Sequence, residues 1–179
     1  MLLIGVLVIM GFSAAAQVYI TKNGSISFFS KTSMENIQAQ NNQVVSIVNL
    51  EKGDIAFSVL IKGFVFKKAL MQEHFNEDYL ESDKYQKATF RGLIENITSL
   101  SSRADGSYPV NVSGELIMHG VARKVTIPGK ITIAGGKVSA HAEFNVLLSN
   151  YNISVPKLVE NNISPTIRIQ MDCKYEPRN

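Results

Sequence analysis

Apolar and polar side chains alternate at every second position over long parts of the chain. The pattern is clearest over residues 55–62, 110–118, 138–148 and 167–175. Such alternation places one set of side chains on the apolar face of a β-strand and the other set in water. It favours an antiparallel sheet, because the strands of a parallel sheet are buried on both faces and read as unbroken apolar runs.

Turn sequences separate these strands. Turns that contain Gly predict hairpins at 52–54, 104–107 and 134–137. Pro128 and Gly129 predict a break between the short strands 125–127 and 131–133. Further strands are expected over 18–22, 26–32, 43–50 and 89–97. The resulting eight or nine strands are enough to close an all-β barrel, which removes the unpaired edges of a sheet.

One segment departs from the alternation. Within residues 67–82, Met71, Phe75 and Tyr79 recur four positions apart, and acidic side chains fall on the opposite side. This spacing predicts one short helix. The pattern leaves open whether the helix covers an opening of the barrel or is only a helical connection.

The first sixteen residues have the features of a signal peptide. Residues 2–12 form an apolar run of eleven, too short to span a membrane as a helix. Small residues follow, and they predict cleavage after Ala16. No Lys or Arg follows Met1, which a start codon further upstream would explain. We therefore expect a signal peptide over 1–16, one domain over 17–179 and a periplasmic or secreted location; a buried N-terminal strand or helix is the alternative.

Composition and charge exclude several classes of function. Lys and Arg number 18 and Asp and Glu 15, so the net charge is +3, too small and too scattered to indicate nucleic acid. A single Cys among 179 residues excludes a disulfide framework and a Cys-based metal site. No later stretch reaches the roughly 18 apolar residues of a membrane-spanning helix. No phosphate-loop pattern occurs, and we expect no cofactor.

Candidate catalytic groups are few. The chain has three His residues, at His74, His119 and His141. None has metal-ligand spacing with another, and the second, before Gly120, is expected to bond the backbone at a tight turn. Glu73 and Glu77 lie one helical turn apart and fit a solvated acidic face better than an acid–base pair. Cys173 falls on the apolar side of the last strand, as a small core residue does. We expect no catalytic residue, no metal site and no enzyme.

Four segments, in order along the chain, resemble the YceI-like family of secreted lipid-binding proteins. Residues 114–121 read Gly-Glu-Leu-Ile-Met-His-Gly-Val, followed by Ala-Arg-Lys-Val-Thr-Ile. This stretch is similar to the family's Gly-x-Leu-x-x-His-Gly-Val, which a basic residue and a Val-x-hydrophobic strand follow. The other similar segments are 24–28, 71–90 and 144–153.

The resemblance covers residues 18–175, with three departures. Gly24 stands where the family often has His, which puts a polar role at that strand in doubt. Gln86 stands where Pro commonly follows Tyr, and Asn152 where Gly is usual. Asn tolerates a left-handed turn better than most residues, so the last change is compatible with the fold.

The resemblance implies a lipocalin-like, antiparallel eight-stranded β-barrel with the helix near one barrel end and an isoprenoid chain in the apolar interior. The residues expected to line this interior are large side chains that point inward from the strands. Two aromatic residues of the helix and two of the segment that precedes the helix are expected to line it as well. The full set is Phe28, Phe57, Val59, Ile61, Phe64, Phe66, Phe75, Tyr79, Phe90, Leu116, Met118, Phe144, Val146, Ile169 and Met171. Ordinary core packing is the alternative for each, because a filled and a hollow barrel both need apolar inward positions. Lys67 and Lys68 beside the opening are either solvated or meet an anionic head group.

Three functions follow from these expectations. The first is a secreted or periplasmic protein that stores or carries an isoprenoid-type lipid, a polyisoprenoid or an isoprenoid quinone. The second is a lipocalin-like enzyme that acts on the bound lipid. The third is an outer-membrane barrel, which would carry its apolar face outward. The expected partner is the lipid, without nucleic acid and without a membrane-spanning segment, and a homodimer is left open.

Overall fold

The computed structural model describes residues 18–100 and 104–178. The predicted signal peptide therefore lies outside the described residues. The strands are β1 (Val18–Lys31), β2 (Asn36–Asn49), β3 (Asp54–Leu60), β4 (Val65–Phe66), β5 (Lys87–Ile94), β6 (Gly106–Met118), β7 (Val121–Ala134), β8 (Lys137–Leu147) and β9 (Thr166–Pro177). The helix α1 spans Ala69–His74, and one π-helical turn over Phe75–Tyr79 continues it. Short 3-10 turns cover Ile61–Gly63, Ile97–Leu100, Leu148–Tyr151 and Lys157–Val159.

Eight of the strands close into an antiparallel barrel. Their order around the barrel is β1-β9-β8-β7-β6-β5-β3-β2, and the pairing of β2 with β1 closes the ring. The two-residue strand β4 pairs with Ala39 and Gln40 of β2. The expected antiparallel eight-stranded barrel with one short helix is thereby confirmed.

The predicted break at Pro128 and Gly129 is wrong, because β7 runs through both residues. β7 pairs with β6 along its whole length, but it pairs with β8 only from Gly129 onward. Pro128 therefore lies where β7 still has a free edge, and a residue without an N–H is tolerated there. Gly129 then permits close approach, since a Cβ atom at this position would lie 3.0 Å from the His141 carbonyl oxygen.

The two strands predicted over 18–22 and 26–32 form a single strand, β1. Its register with β2 shifts on both sides of Gly24, as at a β-bulge. A Cβ atom on Gly24 would lie 2.7 Å from Cys173 Sγ and 3.1 Å from Val44 Cβ. The position where the family often has His is thus filled by two neighbouring side chains, and a residue larger than Gly would displace them.

The helical segment is shorter than predicted and changes its winding. The sequence indicates a helix over 67–82, whereas α1 ends at His74 and the π turn ends at Tyr79. The left-handed backbone of Glu81, with φ of 43°, then redirects the chain toward β5. Asn152 also adopts a left-handed conformation, with φ of 55°, as expected of Asn at that turn.

One end of the barrel, which we call the closed end, is filled by side chains. It contains the turns after β2 and β7 and the 3-10 turn Ile97–Leu100. Leu50 and Leu100 are almost fully buried there. Ser46 Oγ and Tyr175 Oη lie 2.8 Å apart, so that these two buried hydroxyls satisfy each other.

Cys173 belongs to the core on this side of the barrel. It is only 1% exposed, and burial raises the pKa of its thiol from 9.0 to about 12. A protonated, enclosed thiol is a poor nucleophile. We therefore expect native protein at roughly pH 8 to react slowly with a thiol reagent and guanidinium-unfolded protein to react at once. Because the chain has a single Cys, the reaction reports on this residue alone.

The same raised pKa predicts that the protein loses stability in alkali. The unfolded state releases the Cys173 proton above pH 9.0, while the folded state holds it until about pH 12. The free energy of unfolding should therefore fall as pH rises through this interval. At one pH unit above the ordinary thiol pKa, the fall relative to neutral pH should be about 1.4 kcal/mol. Urea unfolding of wild type and of Cys173→Ala, measured at roughly pH 8 and again one unit above the ordinary thiol pKa, isolates this contribution. An equal fall in the two proteins would contradict it.

Candidate functional site

The barrel interior contains a cavity of about 470 Å³. Most of its wall consists of aliphatic and aromatic side chains that point inward from the strands. All fifteen residues expected from the sequence lie on this wall. The inward faces therefore enclose space that their own side chains do not fill. That these residues contact a lipid stays a prediction.

Four aromatic rings pack together near one end of the cavity. Phe28 of β1, Phe64, Phe66 of β4 and Phe75 of the π turn form this aromatic cluster, with ring centroids 5.0 to 5.6 Å apart in five pairs. Offset and edge-on contacts at such distances stabilise aromatic pairs. The cluster anchors the helical segment over the cavity, which supports the interpretation that the helix covers a barrel opening.

We call the end of the barrel that carries the helical segment the open end. At this end the cavity wall includes residues that are exposed on the protein surface. Half-buried and exposed side chains of α1, Leu70, Met71 and His74, belong to the cavity wall. Val159 and Ile163, from the irregular connection between β8 and β9, belong to it as well. The sequence did not predict that Val159 and Ile163 line the cavity, because an irregular segment has no regular spacing of apolar and polar positions. The only sequence feature that marks them is that they are apolar residues in an Asn-containing stretch.

Polar groups on the wall near the open end are few and partly paired. Lys68 Nζ lies 2.9 Å from Glu35 Oε1, which joins the start of α1 to the turn between β1 and β2. Lys67 does not line the cavity but lines a second groove of about 360 Å³, together with Lys31, Lys68 and Arg168. Of the two lysines considered from the sequence, one therefore borders the cavity and the other the neighbouring surface.

Tyr79 adds a phenol to the wall below α1. Burial, and then the charge of Asp78, raises the pKa of Tyr79. Its hydroxyl therefore stays protonated at neutral pH and can donate a hydrogen bond.

A largely buried histidine ties the helical segment to the barrel. His119 Nδ1 lies 3.0 Å from the Tyr151 carbonyl oxygen, and Nε2 lies 2.7 Å from Glu81 Oε2. Because a carbonyl only accepts, Nδ1 carries a proton and donates it to Tyr151. Nε2 faces the Glu81 carboxyl group across the shorter of the two contacts. The ring of Tyr85 packs edge-on against the imidazole at 4.6 Å.

This arrangement, the His119 clamp, joins three chain segments that are far apart in sequence. They are the turn between β6 and β7, the bend after the π turn, and the 3-10 turn Leu148–Tyr151. The expected bond from His119 to the backbone is present, but its acceptor belongs to a distant segment rather than to its own turn. Sequence spacing could not show this, since the partners are 32 and 38 residues away.

The other groups considered for catalysis lie apart from one another. Glu73 and Glu77 are exposed on the helical segment. His141 pairs with Asp172 at 2.7 Å on the outer face of the barrel. Within residues 18–100 and 104–178 no cluster of three or more His, Cys, Asp or Glu side chains could hold a metal ion. Across the same residues, no helix combines the length and the apolar character needed to cross a membrane.

Comparison with known proteins places the chain in a family. Residues 14–175 match the family model described as the YceI-like domain. No curated protein matches the chain. Several solved structures share the fold, with identities too low to show more than the fold.

One similar structure is a polyisoprenoid binding domain from Saccharophagus degradans implicated in plant cell wall breakdown. The TM-score is 0.79 at 13% identity, over 91% of this chain and 99% of that one. A second is BcnA from Burkholderia cenocepacia, with a TM-score of 0.71 at 16% identity, over 86% of this chain and 96% of that one. A third is the YCEI protein of Campylobacter jejuni, with a TM-score of 0.55 at 12% identity, over 76% of this chain and 81% of that one.

The His119 clamp generates a stability prediction. His119→Ala leaves the Glu81 carboxylate and the Tyr151 carbonyl without their donor, so we expect the free energy of unfolding to fall by about 1–3 kcal/mol. Amide hydrogen exchange should accelerate over residues 80–85. Chemical unfolding and exchange measured by mass spectrometry check both effects.

His141→Ala is the matched control for this prediction. Its His–carboxylate distance is the same 2.7 Å, but the side chain is 40% exposed, against 10% for His119. An exposed pair contributes about 1 kcal/mol or less. Equal losses for the two variants, or unchanged exchange over residues 80–85 in His119→Ala, would show that the clamp does not hold the helical segment.

Proposed function

The chain belongs to the YceI-like domain family, and we propose that it holds an isoprenoid-type lipid in the barrel cavity for storage or transport. The observation that carries this proposal is the space of about 470 Å³ enclosed by apolar side chains and reaching the surface at the open end. Pockets that bind small molecules commonly have volumes of this order and are mostly apolar. The polyisoprenoid binding domain of similar fold supports the choice of lipid.

The driving force would be removal of hydrocarbon from water. Burial contributes about 0.8 kcal/mol per CH₂, so a five-carbon isoprene unit contributes roughly 3–4 kcal/mol before costs. Ordering of the chain and lost translational freedom offset part of this gain. Several units in the cavity would still give micromolar binding or better. Apart from the Lys68–Glu35 pair at the open end, the wall is mostly apolar, which suits a long uncharged tail.

The same features favour a carrier over the alternatives. A binding protein needs apolar contact over a long wall, which the inward faces provide. The apolar residues face inward, whereas a barrel that spans a membrane carries its apolar band outward. We further propose that the protein acts in the periplasm or outside the cell, on the basis of the signal-peptide features of residues 1–16.

Identification of a co-purified lipid tests the proposal. The full chain is produced in a bacterial host, purified without detergent and extracted into organic solvent, and the extract is analysed by mass spectrometry. We expect an isoprenoid quinone or a polyprenyl lipid, released chemically unchanged. Protein that is repeatedly empty and takes up no added isoprenoid would overturn the proposal.

A cavity-filling substitution tests the position of the lipid. Ala142 is buried on the cavity wall, so Ala142→Phe places a ring in the space that the lipid would occupy. We expect the affinity for an added isoprenoid to fall by about tenfold or more, equivalent to at least about 1.4 kcal/mol. Thermal stability should be retained, because the ring fills empty space.

Ala122→Phe is the matched control, since Ala122 lies exposed on the outside of β7. It should bind as tightly as wild type. Isoprenoid affinity is measured for the three proteins by titration calorimetry or by quenching of a fluorescent isoprenoid. Unchanged binding by Ala142→Phe would place the lipid outside the cavity.

A further inference from the structure

The most exposed large apolar side chains of the described residues lie together at the open end. They are Leu158 at 96% exposure, Met34 at 69%, Val65 at 66% and Leu70 at 60%. The next most exposed, Leu93 at 55%, lies toward the closed end. Isolated exposed apolar residues are ordinary on protein surfaces, but a group of them around one opening marks an interaction site.

Contacts in the structure show that these four residues belong to one rim. Glu35, next to Met34, pairs with Lys68 at the start of α1. Leu70 of α1 and Val159, next to Leu158, both line the cavity. The connection that carries Leu158 is held to β1 where Ser164 N–H donates to Ser30 Oγ at 2.8 Å. We call segments 31–36, 65–70 and 157–163 the open-end rim.

The open-end rim is also basic. It contains four lysines, Lys31, Lys67, Lys68 and Lys157, and two acidic residues, Glu35 and Glu160. One lysine is neutralised locally, because Lys68 pairs with Glu35. Lys31, Lys67 and Lys157 are exposed beside the apolar side chains. Apolar side chains flanked by lysines complement a lipid surface, whose anionic head groups meet the ammonium groups while the apolar side chains enter the interface.

We propose that the open-end rim docks the protein on an anionic lipid bilayer and presents the cavity opening to it. Docked in this way, a hydrocarbon tail passes between bilayer and cavity without crossing water, where each exposed methylene raises the free energy. The inference goes beyond lipid binding, since it concerns where the barrel takes up or delivers its contents. The rim residues changed in the tests below, Met34, Lys67, Lys157 and Leu158, are surface residues outside the cavity wall.

Co-sedimentation with vesicles tests the docking. The full chain is mixed with vesicles of equal parts phosphatidylcholine and phosphatidylglycerol, or with vesicles of phosphatidylcholine alone. We expect sedimentation with the anionic vesicles, weaker binding to the neutral ones, and a decrease as salt rises because salt screens exposed charges. No sedimentation with anionic vesicles, or equal sedimentation with both compositions, would overturn the proposal.

Two rim variants locate the docking surface. M34D/L158D removes the two most exposed apolar side chains, and K67E/K157E reverses two charges. We expect each to lower the partition coefficient for anionic vesicles by about tenfold or more. Because all four side chains are exposed, the fold should be unaffected, and circular dichroism and thermal unfolding check this.

Matched controls carry the same changes away from the rim. Leu93→Asp places a carboxylate at an exposed leucine of β5, and K52E/K137E reverses two exposed charges at the closed end. These proteins should sediment like wild type. Rim variants that sediment like wild type, or controls that lose as much as the rim variants, would overturn the assignment of the surface.

A last comparison separates docking from lipid binding. Ala142→Phe, with its filled cavity, should still sediment with anionic vesicles, whereas M34D/L158D should still bind an isoprenoid supplied in solution. Loss of sedimentation in Ala142→Phe would mean that vesicle binding depends on cavity occupancy and would overturn docking through the rim. Failure of wild type to bind any isoprenoid would refute the carrier function while leaving the docking result intact.

Discussion

Closure of the antiparallel sheet is the constraint on which the rest of the structure depends. Eight strands enclose an interior into which every second residue points. Because the sheet is closed, this interior is filled mainly by the inward side chains of the strands themselves. At the closed end, residues such as Leu50 and Leu100 fill it. Toward the open end the inward side chains leave about 470 Å³ unfilled. Water occupies an apolar cavity poorly, so such a cavity is suited to a hydrocarbon ligand.

The two ends of the barrel differ because the chain uses different connections at each. The helical segment and the long β8–β9 connection lie at the open end, whereas the closed end has the turns after β2 and β7 and the connection with the 3-10 turn Ile97–Leu100. The aromatic cluster and the His119 clamp hold the helical segment from its two sides. At the same end, exposed apolar and basic side chains form the open-end rim. One end is thus filled by side chains, and the cavity lies toward the other.

The seam between β7 and β8 is incomplete. β7 and β8 pair from Gly129 to Ala134, whereas β7 before Gly129 has β6 as its only paired neighbour. Arg123 Nε donates to the Asn150 carbonyl oxygen at 2.9 Å, and the 3-10 turn Leu148–Tyr151 thereby approaches the unpaired part of β7. This explains how Pro128 fits within a barrel strand, and it shows that sheet closure tolerates a local gap when a connecting turn lies beside it.

By itself the sequence determined the antiparallel barrel, the short helix and the inward residues, because a period of two and a period of four are local properties of neighbouring positions. The family resemblance pointed to the same fold, and the fifteen residues expected on the wall all line the cavity. Only the tertiary structure decided that the wall encloses space, that Pro128 lies at an edge, and that His119 meets Glu81 and Tyr151. The open-end rim likewise emerged only on folding, since Met34, Leu70 and Leu158 come from three distant segments. These features depend on distances between segments, and such distances are set by how the closed sheet brings its connections together.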